Sequence, residues 1–281
     1  MKVLKFLGYT LISALAVLAL VVFYYSQQTE RDIAGFESRV TALSAAHPPI
    51  LFDSAQLATL PAPVQRYFAY VFDGTPATYS NVVVEQTGQF RRPQTEGFNP
   101  TTARQVIAAT TPALMFSAET PMIPGVWARA YDFFAEGKME MKAKILSTLT
   151  VVDERETAEL NRISLRRWLL ESPLFPQALL PGGAVTWSPM DEQRALATVT
   201  ADGMSARMIA HFNAQGQLVT MTATEDGELN TPYHGSGEHV ARSDYRDVNG
   251  QMIPHGFRIS RMAAGKVYPF WDGTVTEIRF E

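Results

Sequence analysis

The chain has 281 residues, of which 46% are hydrophobic, and a formal net charge of −4. That length and composition suffice for one large domain with a substantial core. The chain contains no cysteine, which excludes disulfides, thiolate metal sites, a cysteine nucleophile and the lipid-bearing cysteine of a bacterial lipoprotein. The acidic balance also argues against nucleic-acid binding, which depends on cationic contacts to phosphate.

The chain opens with an apolar segment. Residues 6–25 carry no charge, and at 1.5 Å per helical residue they reach about 30 Å, the thickness of a bilayer's hydrocarbon core. Tyr24 and Tyr25 lie where interfacial aromatic residues belong. A cleaved signal peptide is the alternative, with Lys2 and Lys5 as its basic start. Because the apolar run is long and bulky residues occupy the cleavage position, we predict an uncleaved anchor at residues 1–25 that contacts the bilayer through residues 6–25.

Basic residues flank this segment equally, with Lys2 and Lys5 before it and Arg31 and Arg39 after it. The lysines lie closer to the apolar run and share their side with the terminal amine. This pattern favours a cytoplasmic amino terminus. Residues 26–281 are then expected to lie outside the cytoplasm.

A polar stretch and a helix follow. Residues 26–49 are predicted to form a stalk or linker that ends at His47-Pro48-Pro49. Residues 57–71 show the apolar spacing of an amphipathic helix, with prolines confined to the first turn. A stripe of this kind must be buried against another element.

Strands dominate the remainder. We predict strands within residues 79–90, 105–117, 126–135, 139–152, 184–189 and 194–200. A second helix is predicted at 156–170. From Met204 to Glu281 apolar residues alternate with polar ones, which indicates strands with one buried face. Asp202-Gly203 and Asn249-Gly250 accept positive φ as tight hairpins require, so this part is predicted to be an antiparallel meander.

About ten strands and two sizeable helices predict an α+β fold. After the transmembrane helix, residues 50–281 are expected to form one extracytoplasmic domain, a large curved antiparallel sheet covered by one or two helices. A sheet of that size tends to curl, which gives an incomplete β-barrel. A groove between sheet and helix could then hold an apolar ligand.

Several motifs resemble known families. Four stretches resemble an uncharacterised bacterial family, domain of unknown function 6544: residues 60–68, 168–181, 243–254 and 269–278. The hairpin at 245–254 and the predicted architecture more loosely resemble the periplasmic lipoprotein carriers, whose half-barrel bears a helical lid. The first resemblance implies a bacterial cytoplasmic (inner) membrane setting, and because that family has no established activity it implies no particular function. The second implies binding of acyl chains or other apolar ligands.

The search for catalytic chemistry is mostly negative. The sequence has no G-x-S-x-G elbow, P-loop, H-E-x-x-H or dinucleotide fingerprint. His234 and His239 would point to opposite faces of one strand, so no metal site or cofactor is predicted. The carboxylate pairs Glu136/Glu140 and Asp244/Asp247 are interpreted as solvated. Arg162, Arg166 and Arg167 form a basic patch, interpreted as a solvated helix face or, alternatively, a contact with headgroups or an acidic partner.

We therefore expect a membrane-tethered binding protein that holds a lipid-like or other apolar ligand without catalysis. An envelope protein-interaction or sensing domain and a hydrolase of unknown type are the alternatives. No catalytic residue is assigned. The candidate ligand-binding residues are Tyr67, Phe68, Trp168, Phe175, Met208, His255, Phe257 and Trp271.

Overall fold

The computed structural model describes residues 2–92, 95–227, 229 and 237–281. It confirms the α+β class: a long apolar helix precedes one open antiparallel sheet with helices on it. The α-helices are α1 (Lys2–Ala45), α2 (Ser54–Leu57), α3 (Ala62–Val71) and α4 (Ala158–Glu171), and short 3-10 helices span Ser172–Leu174 and Pro176–Leu179. The strands are β1 (Asn81–Arg91), β2 (Phe98–Ala108), β3 (Leu114–Ile123), β4 (Val126–Ala135), β5 (Lys138–Ile145), β6 (Leu149–Arg155), β7 (Val185–Pro189), β8 (Arg194–Ala201), β9 (Met204–Phe212), β10 (Leu218–Ala223), β11 (His239–Val248), β12 (Gln251–Ala263) and β13 (Lys266–Phe280).

Two meanders make up the sheet. The strand order is β6-β5-β4-β3-β2-β1-β13-β12-β11-β10-β9-β8-β7, so the wing β1–β6 joins the wing β7–β13 through an antiparallel pair of β1 and β13. The predicted carboxyl-terminal meander is confirmed. Both of its glycine turns have the expected backbone, with φ of 50° and 73° at Asp202-Gly203 and 54° and 79° at Asn249-Gly250.

The sheet has 13 strands rather than about ten, in part because two of the predicted strands each contain a hairpin turn. The predicted run 105–117 contains the turn between β2 and β3, and the run 139–152 contains the turn between β5 and β6. Leu146 and Ser147 make the second turn with φ of 52° and 56°. Neither is among the Asn, Asp and Gly residues whose tolerance of positive φ marks a tight hairpin in a sequence.

The main core lies on the concave face of the sheet, under α3, α4 and the two 3-10 helices. Val64, Tyr67, Phe68 and Val71 of α3 are all at most 1% exposed. The predicted space between this helix and the sheet is therefore filled. Trp168 of α4 is also buried in this core and donates its indole N–H to the carbonyl of Ala108 over 2.8 Å.

The opposite, convex face is covered by the second half of α1. This helix is unbroken over 44 residues, and its first part is long and apolar enough to cross a membrane. Its continuation, predicted as a stalk or linker, packs one stripe onto β2, β3 and β4. Thr29, Ile33, Phe36, Val40 and Leu43 form this stripe, and their spacing of three and four residues follows one helix face.

Candidate functional site: an apolar cavity on the concave face

A cavity of about 350 Å³ lies on the concave face of the first wing, beside α4. Its wall combines residues of β1–β6 with residues of β12, β13 and α4. The lining consists of Phe90, Arg92, Thr101, Phe116, Ala118, Thr120, Ala128, Ala130, Tyr131, Asp132, Met141, Ala143, Ile145, Val151, Val152, Arg167, Ile259, Phe270 and Trp271. Most of these side chains are apolar, which suits an apolar ligand.

The cavity exists because small side chains point inward where β3, β4 and β5 lie side by side. Ala118 of β3, Ala130 of β4 and Ala143 of β5 are cross-strand neighbours in the sheet. Further along the same strands the inward positions carry Leu114, Phe134 and other large residues that are completely buried. The strands are thus filled at one end and hollow at the other.

One ion pair lies in the otherwise apolar wall. Arg167 of α4 donates a hydrogen bond to Asp132 of β4, and its guanidinium stands over the ring of Phe116, 4.5 Å from the ring centroid. Both charged side chains are less than 10% exposed. The pair joins α4 to β4 beside the cavity and so fastens α4 to the first wing.

Two more buried ion pairs fasten α4 to the second wing. Arg166 Nη2 lies 2.6 Å from Glu238 Oε1, and burial lowers the pKa of Arg166. Glu171 Oε2 accepts from Arg242 Nη2 over 2.7 Å, with the two side chains 1% and 0% exposed. The helix therefore acts as a tie between the two halves of the sheet.

The predicted basic patch is thus corrected in part. Arg166 and Arg167 are neither a solvated face nor available to headgroups, because each is buried against an acidic residue of the same chain. Arg162, which is more exposed, pairs with Glu225 over 2.8 Å. Glu136 and Asp244 of the two carboxylate pairs are exposed and ion-paired, with Arg39 and Arg246 respectively.

Of the eight predicted ligand-binding residues, Trp271 lines the cavity. The other seven are buried outside its lining: Tyr67, Phe68, Trp168, Phe175, Met208, His255 and Phe257. Phe257 packs against Trp271, with ring centroids 5.4 Å apart. His255 has its Nδ1 2.9 Å from the carbonyl oxygen of Ile253. That any of the seven contacts a ligand stays a prediction.

The sequence reasoning missed most of the lining. A signal was present in the succession of small residues at alternate positions, Ala118 and Thr120 in β3 and Ala128 and Ala130 in β4. Strands whose inward positions are small leave a hollow in a curled sheet. The prediction favoured bulky aromatic residues instead, and in this fold most of them fill the core.

The described wall of the cavity offers mainly apolar contacts. Among the residues that the structure describes, no group of three or more histidine or acidic side chains is placed to hold a metal ion. His234 of the metal-site interpretation lies outside the described residues. His239 is half-buried, and its burial lowers its pKa. None of the described lining residues is a histidine, a serine or a lysine.

Comparisons with known proteins give a family and no activity. No curated protein matches the chain. Solved structures with faint similarity to this chain include the following three. A domain named for outer membrane lipoprotein sorting from Vibrio parahaemolyticus is 9% identical, with 81% of this chain and 92% of that chain covered and a TM-score of 0.40. A LolA superfamily protein from Nitrosomonas europaea is 7% identical, with 79% and 94% covered and a TM-score of 0.32. A beta-barrel-like protein of domain of unknown function DUF1849 from Brucella abortus is 9% identical, with 72% and 98% covered and a TM-score of 0.24.

The family model that matches spans residues 58–280, which is most of the chain. The number 6544 expected from the sequence motifs is not confirmed by this match. The chain belongs to DUF6920, a family of unknown function.

Proposed function

We propose that this protein is a membrane-tethered binding protein that holds one apolar, lipid-like molecule in the cavity beside α4. The observation that supports this proposal is the cavity itself. Its volume of about 350 Å³ lies at the lower end of the range of small-molecule sites, ~300–1,000 Å³. A hollow of this kind lined by alanine, valine and aromatic side chains favours an apolar occupant over ordered water.

The wall also suggests which part of a ligand is bound. The neighbouring acidic and basic groups, Asp132 and Arg167, are paired with each other. Phe90, Phe116, Phe270 and Trp271 supply large flat apolar surfaces. A hydrocarbon chain needs only such contacts, so we infer that the cavity selects an acyl chain by length and shape.

The tether is part of the same proposal. We infer that the apolar half of α1 spans the bacterial cytoplasmic membrane once, with the amino terminus in the cytoplasm and residues 26–281 outside it. The helix is 44 residues long, and its apolar window is not buried against the rest of the chain. Exposed apolar helix surface of that length needs a bilayer around it.

Native mass spectrometry of the full chain, released from native membranes in mild detergent, tests the proposal. We expect an adduct of lipid mass on the wild type. Ala130→Trp and Ala143→Phe fill the hollow and should lower the adduct fraction by about tenfold, equivalent to roughly 1.4 kcal/mol of binding. Ala241→Trp is the matched control, because Ala241 lies on β11 outside the cavity lining. Equal adduct on the filled variants and the control, or no adduct on any of them, would overturn the proposal.

A further inference from the structure

The docking of α1 fixes how the sheet stands relative to the membrane. Just beyond the apolar segment, Glu30 accepts two hydrogen bonds from Arg129 of β4, at 2.8 and 2.9 Å. Thr29 accepts one from Lys144 of β5 over 3.0 Å. Arg129 and Lys144 are paired near the end of the β4–β5 hairpin that lies away from its turn. These contacts therefore join that end of the hairpin to the part of α1 nearest the bilayer.

Later contacts run in the same direction along both elements. Phe36 stacks on Phe133 with ring centroids 4.4 Å apart, and Arg39 pairs with Glu136, just after the end of β4. As α1 leaves the membrane, therefore, β4 advances from Arg129 to Ala135. The start of β4, and the strand ends beside it, form the membrane-proximal end of this wing.

Simple lengths bring that end to the bilayer surface. Five helical residues separate Tyr25 from Glu30, or about 8 Å at 1.5 Å per residue. Three strand residues separate Arg129 from Val126, or about 10 Å along the strand at 3.3 Å per residue, and less than that along α1 because β4 runs obliquely to the helix. The turn between β3 and β4 therefore reaches roughly the level of Tyr24 and Tyr25, the interfacial aromatic residues.

This same end carries an apolar rim. Phe98 begins β2, Ile123 ends β3, and Leu149 and Val151 begin β6. Their exposed fractions are 43%, 64%, 63% and 54%. The backbone N–H of Leu146 donates to the carbonyl of Trp127 over 2.9 Å, which holds the β5–β6 turn beside the start of β4. The four rim residues therefore share one end of the first wing, spread from β2 to β6.

The cavity reaches this rim. Ala118, Asp132 and Arg167 of its lining are buried, whereas Ala128 and Ile145 near the strand ends are partly exposed, as are Phe116 and Met141 beside Asp132. Val151 belongs to both the rim and the lining. Arg92, directly after β1, also lines the cavity, so a cationic group lies at the same end, where a lipid phosphate would stand.

We propose that the rim of Phe98, Ile123, Leu149 and Val151 inserts into the outer interface of the bilayer that α1 spans, so that the cavity receives a phospholipid acyl chain directly from that leaflet. This inference rests on the proposed function and adds the ligand's source and route. Large exposed apolar side chains are expensive in water and stable at an interface. The rim accordingly gives the outer face of the membrane a hydrophobic path into the sheet.

Single-cysteine labelling tests the rim, because the chain has no cysteine of its own. Ile123→Cys and Leu149→Cys, each carrying an environment-sensitive fluorophore, are placed in the full chain in vesicles of phosphatidylethanolamine and phosphatidylglycerol. We expect blue-shifted emission and quenching by brominated lipid at both positions. Leu51→Cys is the matched control, since Leu51 is 73% exposed but lies beyond the far end of α1, about 30 Å along the helix from Tyr25.

Water-like emission at positions 123 and 149, equal to that at 51, would overturn the inference. A blue shift that grows with protein concentration and is not quenched by brominated lipid would also overturn the inference. In that case a second copy or another protein, and not the bilayer, would cover the rim. Lipid adducts are measured by native mass spectrometry on the same samples. If the protein retains lipid but the rim is exposed to water, the proposed function stands and the entry route is wrong. If the rim is inserted but the protein retains no lipid, both the proposed function and the entry route are wrong.

The route itself is tested by Ile123→Glu/Leu149→Glu. Purified protein stripped of lipid is mixed with vesicles that contain a fluorescent phospholipid, and uptake into the protein is followed over time. We expect the uptake rate to fall by about tenfold, while loading from detergent-solubilised lipid is unchanged. Leu51→Glu should leave both rates unchanged, and equal vesicle uptake by all three proteins would refute direct entry from the bilayer.

Discussion

Removing the carboxylate of Glu171 should lower the free energy of unfolding more than removing any exposed carboxylate does. Glu171 and Arg242 are 1% and 0% exposed, and their charged groups lie 2.7 Å apart. Arg242 also donates to the carbonyl of Leu170 over 3.0 Å, but its Nε and Nη1 have no hydrogen-bond partner among the described residues. Glu171→Ala therefore leaves a buried cation without compensation, which costs about 3–5 kcal/mol.

Urea unfolding in detergent, followed by tryptophan fluorescence, measures this change, and Trp168 on the same helix is a buried reporter. Against a total stability of roughly 5–15 kcal/mol, such a loss moves the midpoint clearly. Asp191→Ala is the control: it breaks an exposed pair with Arg194, 42% and 52% exposed, and should cost at most about 1 kcal/mol. The double variant Glu171→Leu/Arg242→Met removes both charges and should be more stable than Glu171→Ala. If Glu171→Ala costs no more than Asp191→Ala, the idea that this pair ties α4 to the second wing is wrong.

Three further predictions concern other parts of the fold. Val40→Ala removes two methyl groups that are completely buried between α1 and the sheet, and should cost roughly 2 kcal/mol in the same urea assay, whereas Thr41→Ala on the exposed side should change little. Gly88→Ala would place a Cβ 2.3 Å from the backbone oxygen of Asp272, so β1 and β13 must separate, and we expect a loss of about 1–3 kcal/mol; an unchanged midpoint would show that the two wings are not tightly paired there. Burial lowers the pKa of His239 below 6.5. As the pH falls, the imidazole is therefore protonated in the unfolded chain before it is protonated in the folded protein, and stability should fall below about pH 6.5. His239→Gln should make the free energy of unfolding less dependent on pH between about 7 and 5.

The curved sheet could be predicted because its determinants are local. Alternation in β9, β12 and β13 and the two glycine turns are readable from a few neighbouring residues. The hairpin of β5 and β6 could not be recognised, because Leu146 and Ser147 adopt positive φ without the residue types that normally mark it. The packing of α1 was missed because its apolar stripe is diluted by charged residues that face solvent or the strands.

The cavity was only partly predictable for a different reason. A helix that leaves space over a curled sheet was expected, but the inward side chains of that helix, α3, are completely buried and leave no space against the sheet. The hollow lies instead where alanines from three strands meet, and their meeting depends on register between β3, β4 and β5. In the same way Arg166 and Arg167 were interpreted as solvated because Glu238 and Asp132 are distant in sequence.

The unbroken course of α1 has a consequence for how the chain tolerates change. Between the bilayer-length segment and the docked stripe there is no hinge, so each inserted residue would turn the sheet by about 100° around the helix axis and raise it by ~1.5 Å. One extra residue near Gln27 would swing the β3–β4 turn sideways, and two would turn it nearly backwards. Insertion of seven residues would restore the heading but lift the domain by about 10 Å. The number of residues between Tyr25 and Thr29 therefore sets both the heading and the height of the sheet relative to the apolar segment.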